Sequence, residues 1–540
     1  MKPAYRPLLL AFSLISAAAF AAAPERTKTS YPLFGILQVD PSLEKGTLDL
    51  NDRSTFEPLR YYRLIYTNDS QSLRTVRDAK QRYGFSVPVI VYMGGFTTNN
   101  EAQQVEELYR EAIAMIDLAA LASPLDARSK QVEVREGQDR EFPFVPSTAD
   151  CASQRDPHRY CFWIQSDRER MRVVAVNAAA RRLTVERGFD SAAAAHQAGA
   201  SLWAPVYVGN RRELNDARHS NSWPDGPNAL RYALDPGSPA AQRFKGDLIV
   251  ALMKSGYDGA WWDTFQIKTF NLCDPLGRHI EYSWDFRGSQ RYDRDSYTAA
   301  LQSMLRAVRK QVKEATGHEP VLVANSVTTS YAQGGKALFS SPERPGLLDA
   351  YCFEDSYVQP QVERTRGSRL KASFHAVRPE RWLQNVRNER DAAENCLAGL
   401  CMMGPAGYLA AYINPSLDNY EQLLRFSWCS YLLTVTNRRS TAFGLPLLVT
   451  QRGGSVGFLP LPDLFFYALG DPLDQGEIET LQVRGTRSYL RRFSGGLVAV
   501  NPSDKADIVA IPAGYGDAKT GAAVTEAHLP AGDAVLLTRR

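Results

Sequence analysis

Two acidic residues, each ending a short apolar segment, are the best candidates for chemistry in this sequence. Asp263 ends the segment "GYDGAWWD", and Glu354 ends the segment "LLDAYCFE". Cleavage of a glycosidic bond needs one protonated carboxyl group to release the leaving oxygen. It also needs one ionised carboxylate to attack the sugar or to activate water. The pair therefore indicates acid/base hydrolysis of a sugar linkage.

The alternation of side chains along a strand decides which acids can face a site. Gly259 and Trp261 share a face with Asp263, and small residues precede Glu354 on its own face. Asp258 and Asp355 fall on the opposite faces, so we interpret them as structural residues. We expect Glu354 to be the general acid/base, and Asp263 to be the nucleophile of a retaining enzyme or the base of an inverting one.

Aromatic and amide side chains at other predicted strand ends complete the predicted site. Asn325 ends "PVLVAN", and an amide at that place can hydrogen-bond a sugar hydroxyl. Aromatic rings can stack on the apolar faces of sugar rings. The residues predicted to bind substrate are Asn325, Trp261, Trp203, Tyr92, Asp40 and Tyr66.

The order of apolar and helical stretches predicts the fold. Strand–helix units repeat along the chain, which predicts an α/β protein with a parallel sheet. The eight strands of these units predict a (β/α)8 TIM barrel. In such a barrel the site lies at the carboxyl ends of the strands. We place this barrel at 31–455, with a β-rich insertion at about 123–200. Short alternating runs at 480–540 predict a small all-β sandwich. The predicted barrel strands are 31–40, 59–68, 87–95, 201–209, 256–264, 320–326, 346–357 and 406–414.

The first 21 residues resemble a secretory signal peptide. Basic residues precede an apolar run, and Ala19-Phe20-Ala21 fits a small-residue cleavage site. We expect an exported bacterial protein, periplasmic or extracellular, with no membrane span after cleavage; an uncleaved membrane anchor is the alternative. In an exported chain, Cys151 and Cys161, which bracket a polar loop, are the best candidates for a disulfide.

Composition and motifs exclude other classes of function. The 63 Lys and Arg residues nearly balance the 59 Asp and Glu residues, and no basic run indicates a nucleic-acid surface. We find no His/Cys spacing typical of zinc and no glycine-rich phosphate loop. We therefore expect no metal, no cofactor and no nucleic-acid partner, and a polysaccharide or oligosaccharide as the substrate.

Several segments resemble uncharacterised bacterial glycoside-hydrolase-like barrels and, more distantly, the family 114 endo-α-1,4-polygalactosaminidases. The similar segments are "YDGAWWDTF", "RRLTVERGFDSAAAAHQAGASLW", "LPDLFFYALGDPLDQ" and "LRRFSGGLVAVNPSDKADIVAIP". The resemblance implies a polysaccharide-cleaving barrel with a β-sandwich appendage. It also implies that Asp263 and Glu354 correspond to the strand-end aspartate and the later catalytic glutamate of that family.

Two other functions stay open. A secreted carbohydrate-binding protein could use the barrel mouth without chemistry, with the same acids and rings contacting sugar. A serine hydrolase is the other alternative, because "GGSVG" (453–457) fits the Gly-x-Ser-x-Gly motif and His528 follows it. Pro460 and Pro462 interrupt the helix that such a nucleophile turn should open.

Overall fold

The structure is a computed structural model, and the chain divides into two compact units. One unit is formed by Met1–Val89 and Cys352–Arg540, and the other by Ile90–Tyr351. The structure describes residues 31, 33–39, 53–67, 70–85, 87–94, 102–136, 162–177, 179–189, 191–208, 231–263, 272–275, 278–327, 332, 335–338, 347–354, 356–364, 370–395, 402–404, 419–436, 441–452, 455–458 and 461–540.

Strands and helices alternate through much of these ranges. The described α-helices are α1 (Ser70–Tyr83), α2 (Ala102–Leu108), α3 (Pro239–Ser255), α4 (Arg294–Thr316), α5 (Pro379–Asn395) and α6 (Tyr420–Thr434). The described strands are β1 (Leu33–Val39), β2 (Tyr62–Thr67), β3 (Val89–Gly94), β4 (Met115–Leu121), β5 (Gln131–Arg135), β6 (Phe162–Ser166), β7 (Glu169–Asn177), β8 (Arg182–Glu186), β9 (Ser201–Pro205), β10 (Tyr207–Val208), β11 (Gly259–Asp263), β12 (Leu272–Cys273), β13 (Val321–Val327), β14 (Ala350–Glu354), β15 (Val358–Arg364), β16 (Leu370–Ala376), β17 (Met402–Gly404), β18 (Thr441–Arg452), β19 (Ser455–Phe458), β20 (Tyr489–Arg492), β21 (Gly496–Asn501), β22 (Asp507–Ala510), β23 (Tyr515–Asp517), β24 (Glu526–Leu529) and β25 (Asp533–Arg539).

Parallel pairing dominates the long strands, which confirms the mixed α/β class with a parallel sheet. In the first unit β1 pairs with β2 and β18, and β17 pairs with β18, all in parallel. In the second unit β11 lies between β3 and β13 and is parallel to both. The predicted strand 406–414 lies outside the described residues. None of the described helices combines the length and apolar character needed to cross a membrane.

Strand β11 has the burial expected of a central parallel strand. Ala260, Trp261 and Trp262 are at most 2% exposed, so both faces of the strand are covered. Gly259 pairs with Val321 of β13, and a Cβ added at Gly259 would lie 1.9 Å from the Val321 carbonyl oxygen. The glycine is therefore required because the backbone of the neighbouring strand leaves no room for a side chain.

A closed antiparallel barrel of six strands lies within the second unit, in the strand order β4-β5-β8-β7-β6-β9. Leu118, Val132, Val173 and Leu202 belong to its core and are at most 2% exposed. The prediction that 201–209 forms a strand of the parallel barrel is wrong, because β9 pairs antiparallel with β4. Its apolar residues face the core of the small barrel, which an apolar run alone does not distinguish from a parallel strand.

Arg187 and His196, which lie within the similar segment at 181–203, form a hydrogen-bonded network with Glu169 in this small barrel. Glu169 is 1% exposed and accepts two hydrogen bonds from Arg187, both 2.7 Å long. His196 Nε2 lies 2.8 Å from the same carboxylate. Burial opposes ionisation of Glu169, but the contacts with Arg187, the Ala194 amide and His196 lower its pKa to about 2.

The C-terminal segment is all-β, and a buried arginine joins it to α6. A four-stranded sheet, β20-β21-β25-β23, and the β22-β24 pair share one apolar core. Arg491, in β20, is fully buried and donates to the main-chain oxygens of Leu432, Leu433 and Val435 at 2.8–3.0 Å. These carbonyls lie at the C-terminal end of α6, where the last carbonyls of a helix have no amide donor within the helix. A cation is also favourable there because of the helix dipole.

A buried carboxyl group lies on α5. Glu389 is fully buried, and the hydroxyl of Tyr357 donates to its Oε2. Burial raises the pKa of Glu389 to about 8, with the Tyr357 hydrogen bond acting in the opposite direction. The side chain is therefore held as the neutral acid at pH 7.

We expect Arg491→Met to destabilise the protein by roughly 2–4 kcal/mol, because the carbonyls of Leu432 and Leu433 lose their guanidinium donor while that of Val435 keeps the donor Arg390. Urea unfolding measures the loss. Arg492→Met is the matched control, since Arg492 is half exposed and its guanidinium pairs with Asp474 at the surface. Equal losses in the two variants would contradict the capping role.

We expect the stability of the wild type to fall between pH 5 and pH 8 relative to Glu389→Gln. The raised pKa means that the folded chain keeps a proton that the unfolded chain has released. The slope is at most about 1.4 kcal/mol per pH unit. Unfolding midpoints across this window measure it, and Glu380→Gln, at an exposed position of α5, should follow the wild type. Unfolding midpoints that change with pH in the same way in wild type and Glu389→Gln would refute the raised pKa of Glu389.

Candidate functional site

Three adjacent parallel strands bring polar side chains to one edge of the sheet. In the register of β11 and β3, Trp261 pairs with Tyr92, and Asp263 pairs with Gly94. In the register of β11 and β13, Trp262 pairs with Ala324, so Asn325 follows beside Asp263. Tyr92, Asp263 and Asn325 consequently lie on one face, at the carboxyl ends of their strands.

Both oxygens of the Asp263 carboxylate are held by these neighbours. The Tyr92 hydroxyl donates to Oδ2, and Asn325 Nδ2 donates to Oδ1 at 2.8 Å. Asp263 and Tyr92 are half-buried, whereas Asn325 is 7% exposed. A carboxylate accepts hydrogen bonds only, so two donors from two strands fix its orientation while part of the side chain stays accessible.

The other predicted contacts of the second unit lie differently. Trp261 is 2% exposed, so its ring faces protein. Trp203 lies in β9 of the six-stranded barrel, not at the end of a parallel strand, and its ring meets Trp284 edge-on at 5.4 Å. Tyr92 and Asn325, which were predicted to bind substrate, contact Asp263 directly, a role that the sequence did not reveal.

The first unit contains the remaining predicted side chains. Tyr66 is half-buried near the end of β2, where its register partner is Ile36. Glu354 is the last residue of β14, as predicted for a strand-end carboxylate, but its side chain lies outside what the structure describes. Asp40 and Asp355 also lie outside the described residues, as does the predicted disulfide of Cys151 with Cys161.

The serine-hydrolase alternative does not match the local structure. Ser455 starts β19, which pairs antiparallel with β18 through Arg452. A nucleophile turn would instead lead from a strand into a helix. His528 is exposed in β24, where its Nε2 lies 2.8 Å from Glu526. Within the described ranges no group of three His, Cys, Asp or Glu side chains is arranged to hold a metal ion.

One buried residue of this edge was missed by the sequence analysis. Lys245, in α3, is 1% exposed, and its Nζ donates to the main-chain oxygen of Gly94 at 2.6 Å. Ala241, Lys245 and Ile249 are buried positions spaced by four residues. A lysine on the buried face of an amphipathic helix is the signal that could have identified it.

Glycoside hydrolases are among the solved structures to which the chain is similar. Trehalose-6-phosphate hydrolase of Bacillus licheniformis has a TM-score of 0.42 at 11% identity, covering 94% of this chain and 99% of that one. The glycoside hydrolase domain of PelA from Pseudomonas aeruginosa has a TM-score of 0.33 at 12% identity, covering 77% and 95%. No family model and no curated protein matches the chain. Since both TM-scores are below 0.5, we base the functional proposal on the sequence and on the geometry around Asp263.

Asn325→Asp should destabilise the protein at pH 7 by about 1–3 kcal/mol, because a donor to a half-buried carboxylate becomes a like charge. The loss should shrink at pH 4, where the introduced carboxyl group can carry a proton and donate in place of the amide. Denaturant unfolding at both pH values measures this difference. Asn325→Ala, which adds no charge, should show the same loss at both; a loss in Asn325→Asp that is independent of pH would contradict the geometry.

Proposed function

We propose that the chain is a secreted glycoside hydrolase that cleaves a polysaccharide or oligosaccharide with two carboxyl groups. The observation that supports this function best is the state of Asp263. Its carboxylate lies at the carboxyl end of a parallel strand and is oriented by donors from both neighbouring strands. Such a carboxylate has one orientation and stays partly accessible. It can therefore attack an anomeric carbon or remove a proton from a water molecule.

In the proposed reaction Glu354 starts as the protonated acid. It gives its proton to the glycosidic oxygen while the bond from that oxygen to the anomeric carbon breaks. In a retaining enzyme Asp263 attacks the anomeric carbon, and Glu354 then activates the water that hydrolyses the glycosyl ester. In an inverting enzyme Asp263 takes a proton from the attacking water. Carboxyl groups roughly 5–5.5 Å apart favour the first course, and roughly 6.5–9.5 Å the second.

The architecture belonging to this proposal keeps the domain bounds expected from the sequence, with 201–205 moved to the six-stranded antiparallel barrel. It comprises a signal peptide at 1–21, a complete (β/α)8 barrel at 31–455 and a C-terminal β-sandwich at 480–540. Alternating strands and helices, the parallel pairs around β1 and β11, and the two C-terminal sheets with one core support this organisation. Export to the periplasm or beyond places the enzyme with extracellular polysaccharides, and the resemblance to family 114 makes amino-sugar polymers the first substrates to test.

The purified mature chain should release sugar from at least one member of a broad glycan panel, measured as new reducing ends. Asp263→Asn and Glu354→Gln should each lower turnover on the order of 10²- to 10⁴-fold, because each removes an acid/base or nucleophilic group. Asp258→Asn, at the opposite end of the same strand segment, and Asp355→Asn are the matched controls. Both controls should keep wild-type turnover.

The outcome that would refute this proposal is glycan binding without any release of product in the wild type. Binding that also survives in Asp263→Asn and Glu354→Gln would identify a non-catalytic carbohydrate-binding protein. Loss of turnover in Asp355→Asn, with Glu354→Gln active, would instead move the acid role to the neighbouring residue.

A further inference from the structure

A buried lysine lies at the strand edge that carries Asp263, and the reaction proposed above does not use it. The Lys245 ammonium donates to the oxygen of Gly94 at 2.6 Å, and Gly94 is both the last residue of β3 and the register partner of Asp263. Taking an ammonium group out of water is costly unless fixed partners receive it. The Gly94 carbonyl is one such partner, and the contact places the ammonium on the strand that carries Tyr92.

The helix that carries Lys245 is held firmly in place. Asp247, two residues later, accepts hydrogen bonds from Gln311 of α4 at 2.6 Å and from Tyr109 at 2.8 Å. A Cβ added at Gly246 would lie 2.1 Å from Gln311 Oε1, so α3 and α4 approach closely at this turn. The lysine consequently extends from a fixed helix turn, and its ammonium can restrain the peptide that it contacts.

We propose that Lys245 is a positioning residue for Asp263, an inference that rests on the function proposed above. The ammonium holds the last peptide of β3, and the same strand carries Tyr92 two residues earlier. Holding that peptide keeps the Tyr92 hydroxyl on Asp263 Oδ2 in one geometry. The helix layer thereby fixes the carboxylate from behind, through β3, without touching substrate.

If Lys245 only filled space between helix and sheet, a different outcome would be expected. Replacing it would then change the stability of the unit but leave the Tyr92–Asp263 contact and the turnover of folded enzyme unchanged. The two possibilities are separated by Lys245→Met, which keeps the length of the side chain and removes the charge and the donor. Lys254→Met, at an exposed position of α3, is the matched control.

On the glycan that the wild type cleaves, folded Lys245→Met should lose on the order of 10- to 100-fold in kcat, because a small displacement of a reacting group is costly. Its KM should stay within about twofold, since substrate contacts are unchanged. Lys254→Met should match the wild type.

In a double-mutant cycle, Tyr92→Phe and Lys245→Met should be strongly non-additive in kcat, because both act on the same hydrogen bond. Additive effects, or an unchanged kcat in Lys245→Met, would overturn the proposal.

A crystal structure of Lys245→Met tests the inference independently of activity. The Gly94 carbonyl should rotate, and the Tyr92 hydroxyl should move out of hydrogen-bond distance of Asp263. An unchanged Tyr92–Asp263 contact would overturn the positioning role, whether or not the wild type cleaves a glycan. A wild type that cleaves no glycan would contradict the proposed function alone and leave this structural result to decide on Lys245.

Discussion

The close approach of β11 to β13 at Gly259 is the constraint on which the candidate site depends. Only a residue without a Cβ allows the backbone of Gly259 to lie against Val321. That contact fixes the register of the two strands, and a shift by one residue would turn every following side chain to the other face. Four residues later the same register brings Asp263 beside Asn325. The position of the carboxylate is thus decided at the opposite end of its own strand.

Buried cations on main-chain carbonyls are a device that both units use. In one unit the Lys245 ammonium holds the end of β3 at Gly94, and in the other the Arg491 guanidinium holds the end of α6. The last carbonyls of a helix lack partners inside their own helix, and the carbonyls of a strand always bond to other elements. A long cationic side chain can reach both kinds of carbonyl from a neighbouring element. Charge is therefore used in this protein to fix ends of elements, where a small displacement is transmitted to the residues alongside.

The sequence predicted much of the parallel sheet but little of how its side chains meet. The alternation in "DGAWWD" was enough to predict β11 and the face of Asp263, because strand periodicity is a local property. That Tyr92 and Asn325 both donate to Asp263 depends on which strands are neighbours, and spacing along the chain does not carry that information. For the same reason "SLWAPVYVG" was assigned to the parallel barrel, although its partner is β4 in an antiparallel barrel. Lys245 was missed because a single lysine in a helix is usually exposed, and only its place on the buried face indicates otherwise.

In the proposed reaction the Asp263 carboxylate takes part in bond cleavage, beyond contacting the sugar. Chemical rescue tests this most directly, with Asp263→Ala assayed on a cleaved glycan in the presence and absence of sodium azide. A small anion that occupies the space of the missing carboxylate can replace it as nucleophile or base. We expect the variant to be inactive in buffer and to regain turnover as azide is added. An Asp263→Ala enzyme that cleaves the glycan at the wild-type rate without azide would contradict it.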